Sequence, residues 1–171
     1  MALLCFDLEQ LSLVSQAFAR SETLVSSGFR IPALPSKHYP YELVTLVDLE
    51  GPERAEHAFA HLVVYERRRA SGPEPLYRIC LQDDIILGRA AGAGREWLEA
   101  LLGYVLTHEL VHVVRFQRAE ESFHAADEAR EREEDRVHKL TLGLLRAARD
   151  QHVDRLDELY GNPVIPASRV P

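Results

Sequence analysis

Apolar residues in this chain recur at two spacings, and the changes between them mark out elements. Leu11, Val14, Phe18 and Leu24 recur at helical steps, which predicts a helix from Leu8 to Val25 with a break at Ser26-Ser27-Gly28. Pro32, Pro35 and Pro40 make residues 31–40 an extended linker. Tyr41 to Leu49 reads as a strand through the β-branched and apolar run Leu43 to Val47, and Gly51-Pro52-Glu53 as a helix start. From Arg54 to Glu66 two patterns overlap. Ala55, Ala58, Phe59, Leu62 and Val63 fit a helix, whereas His61 to Arg67 fits a strand.

Ser71 to Pro75 predicts a turn, and Leu76 to Gln82 a second strand with Tyr77, Ile79 and Leu81 on one face. Asp83-Asp84-Ile85-Ile86-Leu87 reads as a loop leaving that strand, and Ala90 to Gly94 as a flexible approach to a helix beginning near Arg95. That helix, 95 to 118, is apolar on nearly every side, which marks a buried element. Residues 119–150 predict a second long helix, rich in Ala, Glu and Arg. The helical pattern resumes to Tyr160, and Gly161-Asn162-Pro163 stops it.

These elements add up to an α+β fold with a small mixed sheet, a buried helix and a second long helix after it. A length of 171 residues is enough for one domain, 1–171, in which 1–40 holds the N-terminal helix and proline-rich linker and 161–171 an extended tail. With 46% hydrophobic and 27% charged residues, the chain needs no metal merely to fold. A net charge of −7 argues against a nucleic-acid surface despite the local run Arg67-Arg68-Arg69. Two cysteines without metal spacing, no signal-like N-terminus and no apolar stretch of membrane-spanning length predict a cytoplasmic protein that does not enter a membrane.

The buried helix carries Thr107-His108-Glu109-Leu110-Val111-His112. Histidines four apart project from one face and can hold one metal ion. Glu109 lies about 100° round the helix, outside that coordination sphere but close enough to take a proton from water activated there. Buried polar groups cost several kcal/mol unless paired, and one shared ion pairs them all. The plain alternative is two core histidines bonded to backbone carbonyls. A catalytic zinc needs a third protein ligand. Arg115 and Arg118 stand where a metzincin would have Gly and His, so the sequence does not support that branch. Extending the stripe of Leu142 and Leu145 backwards predicts that His138, Asp135 and Glu131 face inward.

With Arg130-Glu131-Arg132-Glu133-Glu134-Asp135 following the histidines, residues 104–138 resemble the gluzincin-type HExxH zinc metallopeptidases, the thermolysin-like group that includes minimal ImmA-like zincin domains. The resemblance implies a zincin-like fold, one Zn2+ per chain held by His108, His112 and Glu131, catalysis by Glu109, and Asp135 bonding a ligand histidine from behind. It implies a peptide or protein substrate, captured along the edge of strand Leu76 to Gln82. Glu134 stands where such peptidases often have a small residue, and His138 follows it. Either is an alternative ligand, as are Glu133, Glu128, Asp127 and His124, and His138, Tyr160 or Arg115 are candidate oxyanion donors. Two other functions compete with peptide hydrolysis: a catalytically silent zincin-like module that binds metal and a partner protein, and a di-iron carboxylate site built on Glu109-x-x-His112.

Overall fold

The structure is a computed structural model describing residues 4–120, 122 and 126–160, with only the backbone of Tyr160. His124, the segment 161–171 and the Tyr160 side chain, all singled out above, lie outside the described residues.

Among the described residues the chain forms five helices and a three-stranded mixed sheet, which establishes the α+β class. Helix α1 (Leu8–Phe29) starts at a capping box in which Asp7 accepts from the Gln10 backbone and Gln10 accepts from that of Asp7. It runs through the predicted break and ends at Arg30 in the left-handed region. Strand β1 (Tyr41–Val44) is shorter than predicted, because residues 46–48 turn into a 3-10 segment. Gly51-Pro52-Glu53 forms another single turn rather than the start of a helix.

The ambiguous stretch resolves as strand β2 (Ala60–Arg69), paired antiparallel with β3 (Gly72–Leu81), itself longer than expected. Between them lies a two-residue turn, so Arg69↔Gly72 forms a hydrogen-bonded pair and alternate pairs follow from it. Pro73 and Pro75 thus fall on non-bonded pairs, where a missing N–H costs β2 nothing, and β1 pairs with β3 only from Tyr77 onward. Tyr77, Ile79 and Leu81 share the inward face, as predicted.

The strand order is β1-β3-β2, with β1 parallel to β3. The expectation that Leu76 to Gln82 forms a sheet edge is therefore corrected: β3 is central, and both of its sides are occupied. The edges belong to β1 and β2.

Asp83 to Leu87 is not a loop but the start of helix α2 (Asp83–Ala90). The Asp83 carboxylate accepts from the backbone N–H groups of Phe6 (3.1 Å) and Leu46 (3.0 Å), tying two distant segments to this helix end. Helix α3 (Arg95–Gln117) follows, and every residue from Tyr104 to Arg115 is buried. It lies between α1, the inner face of the sheet and α4 (Asp127–Ala147), which begins eight residues later than predicted. Ser21 of α1 donates to the Gly103 carbonyl and accepts from Thr107, fixing α3 beside α1 one residue before His108. Helix α5 (Val153–Tyr160) covers the far end through Val153, Leu156 and Leu159. No helix among the described residues is long and apolar enough to cross a membrane.

Candidate metal centre

Tyr104, His108, His112 and Phe116 stand one above another at steps of four on a single face of α3. Glu134 of α4 meets this face. Its Oε2 lies 3.2 Å from Nε2 of His108 and 3.3 Å from Nε2 of His112, and the two imidazole nitrogens are 3.1 Å apart. Two imidazoles and a carboxylate thus converge at one point, buried apart from about a tenth of the Glu134 side chain.

These distances can be set against a metal. Ligand atoms about 2.0–2.1 Å from a tetrahedral zinc lie about 3.3 Å from one another. The observed triangle has edges of that size, and its two nitrogens and one oxygen form a group that could hold a metal ion. Each imidazole can pair with Glu134 through a proton, and a shared cation would engage all three atoms at once. Burial pushes the Glu134 carboxyl up, but the neighbouring His112 and His108 outweigh it and hold it well below the ordinary carboxylate range.

The third member of the cluster is therefore Glu134, not Glu131. Glu131 is exposed, and Asp135 is exposed too, paired with Lys139 at 2.5 Å instead of with a ligand histidine. Backward steps of alternately three and four residues average 3.5, and they slip by about 20° every seven residues against the true helical period. The buried face instead runs from Leu145 through Thr141, His138 and Val137 to Glu134. Glu131 and Asp135 lie about 100° beyond the partly buried Arg130 and Glu134, since each residue turns the helix by that much.

Of the other ligand alternatives, Glu133 pairs with the buried Arg115, which also donates to Glu120 at 2.8 Å. This clamps α3 to α4 beside the cluster and commits Arg115 to structure rather than to a developing oxyanion. Asp127 and Glu128 are exposed in the first turn of α4, with Arg130 and Arg132 beside them. Glu109 is buried at 7% exposure, beside the cluster but outside its triangle, as its position on the helix requires.

His138 does face inward, yet it neither joins the triangle nor points a nitrogen at it. Its Nε2 lies 3.0 Å from Oδ1 of Asp157 on α5, and its Nδ1 lies 2.9 Å from the Tyr104 hydroxyl. A carboxylate only accepts, so Nε2 carries the proton and Nδ1 accepts from Tyr104. Burial lowers the His138 pKa against the pull of Asp157, which agrees with a neutral ring.

Tyr104 and Asp157 were not among the residues singled out from sequence. Extending the His108, His112 stripe one turn backwards would have found Tyr104; nothing local points to Asp157. The Tyr104 ring packs on that of His108 with centroids 5.7 Å apart, while Phe116 stacks on His112 at 6.0 Å and Tyr77 of β3 on Phe116 at 6.1 Å. Aromatic rings thus brace both histidines. No protein-family model matches this chain, and neither a curated protein nor a solved structure matches it.

Proposed function

We propose that this protein is a zinc metallopeptidase with a zincin-like, gluzincin-type domain in which His108, His112 and Glu134 hold the ion and Glu109 is the general base. The observation that carries this reading is the convergence, at 3.1–3.3 Å, of the Nε2 atoms of two histidines on α3, the helix that also bears Glu109, with a carboxylate oxygen of Glu134 on α4. His108, His112 and Glu134 would hold the zinc, which would supply the Lewis acidity that makes water a nucleophile near neutral pH. Glu109 would be the base that takes a proton from the attacking water and returns it to the leaving amine as the C–N bond breaks. His112 keeps its orientation through Phe116 and Tyr77.

An extended peptide needs a strand edge, and the outer edge of β2 fits this role. Val64 of β2 pairs with Tyr77, whose ring reaches His112 through Phe116, so this edge runs beside the helix that carries the ligands.

Glu109→Gln tests the mechanism. The variant is expected to keep its zinc while losing hydrolysis of a peptide library that the zinc-loaded wild type digests, by at least about a hundredfold. Equal turnover would remove Glu109 from the reaction. A zinc-loaded wild type that cleaves no peptide pool would favour the silent metal-binding module.

A further inference from the structure

One turn beyond the triangle, α3 and α4 face each other across a second polar rung. Tyr104 and His138 are both buried, at 5% exposure each, among Leu101, Leu142, Leu145 and Leu156 of the helical core. Polar groups in such a core are costly unless they are bonded in full. Here the bonds form a line: the Asp157 carboxylate accepts from His138, His138 accepts from Tyr104, and the Tyr104 ring lies against His108. The line starts on α5, a helix of eight residues, too short to be stable alone and dependent on docking through Val153, Leu156 and Leu159. The second oxygen of Asp157 lies 3.6 Å from Arg146 at the end of α4, which aims the carboxylate.

We propose that Asp157, His138 and Tyr104 form a positioning chain through which docked α5 holds the His108 ring in its metal-binding orientation, so that zinc retention depends on α5. The inference rests on the reading of His108, His112 and Glu134 as a metal site. None of the three residues is a ligand; each acts through the next. Outer groups hydrogen-bonded to a ligand histidine are worth tenfold to a hundredfold in metal affinity, and a ring held against the ligand is expected at the lower end of that range. Coupling is reciprocal, so whatever factor α5 docking adds to zinc affinity, zinc must add to the stability of docked α5.

The test uses the full chain and two readouts: zinc affinity by competition with a chromogenic chelator, and amide exchange in residues 153–160 with and without zinc. The wild type is expected to bind zinc and to exchange more slowly in 153–160 when zinc is present. Asp157→Ala should weaken zinc about tenfold and abolish that slowing. Asp157→Asn, whose side-chain oxygen still accepts from His138, should recover most of both. Tyr104→Phe, which keeps the ring on His108 but removes the hydroxyl, should behave like Asp157→Ala.

Unchanged zinc affinity in Asp157→Ala and Tyr104→Phe, or exchange in α5 that ignores zinc in the wild type, would overturn the coupling while leaving the metal site standing. A wild type that binds no zinc would overturn the metal site and the coupling with it.

Discussion

Two buried polar clusters flank the sheet and helix α3, and they are built on opposite principles. Around Glu53, which is fully buried, charges and donors are matched: the carboxylate accepts from Arg78 (2.7 Å), the Tyr65 hydroxyl (2.6 Å) and the Glu50 backbone (2.9 Å). Gln82, also fully buried, donates to the Glu53 and Cys80 carbonyls and accepts from the Ala55 N–H. Burial raises the Glu53 carboxyl, but these donors outweigh it and hold its pKa below the ordinary value, while the same contact pushes Tyr65 up to about 12. Such a network matches charges and donors within the protein, and it ties residues 50–55 to Tyr65 of β2, Arg78 of β3 and Gln82. At His108, His112 and Glu134 the arrangement differs, since two imidazole nitrogens and one carboxylate oxygen converge on a single point instead of forming separate pairs. A convergent group of this kind could hold a metal ion, whereas matched pairs mark a structural lock.

The comparison makes its largest demand on stability at Arg78. Arg78→Met strands the buried Glu53 carboxylate and should cost about 3 kcal/mol in denaturant unfolding, the scale of a broken buried pair, with zinc stoichiometry of the folded protein unchanged. Loss of zinc from that variant at full folding would show that the two clusters are not separate.

A smaller effect should appear in the pH dependence of stability. His61, on β2 opposite Cys80, has a pKa lowered by burial below its ordinary 6.5, against the opposing pull of Glu53. The unfolded chain therefore takes up this proton first, so stability should fall as pH drops through about 6.5 and stay flat with respect to this group above it. His61→Gln should flatten that slope in metal-free protein; an unchanged slope would assign it to other groups.

The smallest expected effect belongs to the pair singled out from sequence. Glu131→Ala and Asp135→Ala remove exposed carboxylates and should each change stability by less than about 0.5 kcal/mol, with no change in zinc affinity.

That last contrast shows where the sequence was readable and where it was not. The buried helix with its His108, Glu109 and His112 was legible, because an apolar surround makes three polar residues conspicuous. The presence of a carboxylate on the following helix was legible as well, but not its identity. Glu131 and Glu134 differ by less than one turn, and only the packing of α4 against α3 sets which of them turns inward. Strand β2 was obscured because Ala55 to Val63 fits a helix while the overlapping His61 to Arg67 fits a strand, and the start of β3 because Pro73 and Pro75 look like turn residues until register is known. The acidic first turn of α2, with Ile86 and Ala90 one turn apart on its buried side, was a missed helix signal. Asp157 reaches its place purely through tertiary packing.

The most direct measurement is elemental metal analysis of the purified wild type beside Glu134→Ala and Glu131→Ala. About one zinc per chain in the wild type and in Glu131→Ala, and none in Glu134→Ala, is the expected result for a three-ligand site. Zinc absent from the wild type, or lost with Glu131 and kept without Glu134, would contradict the assignment of His108, His112 and Glu134.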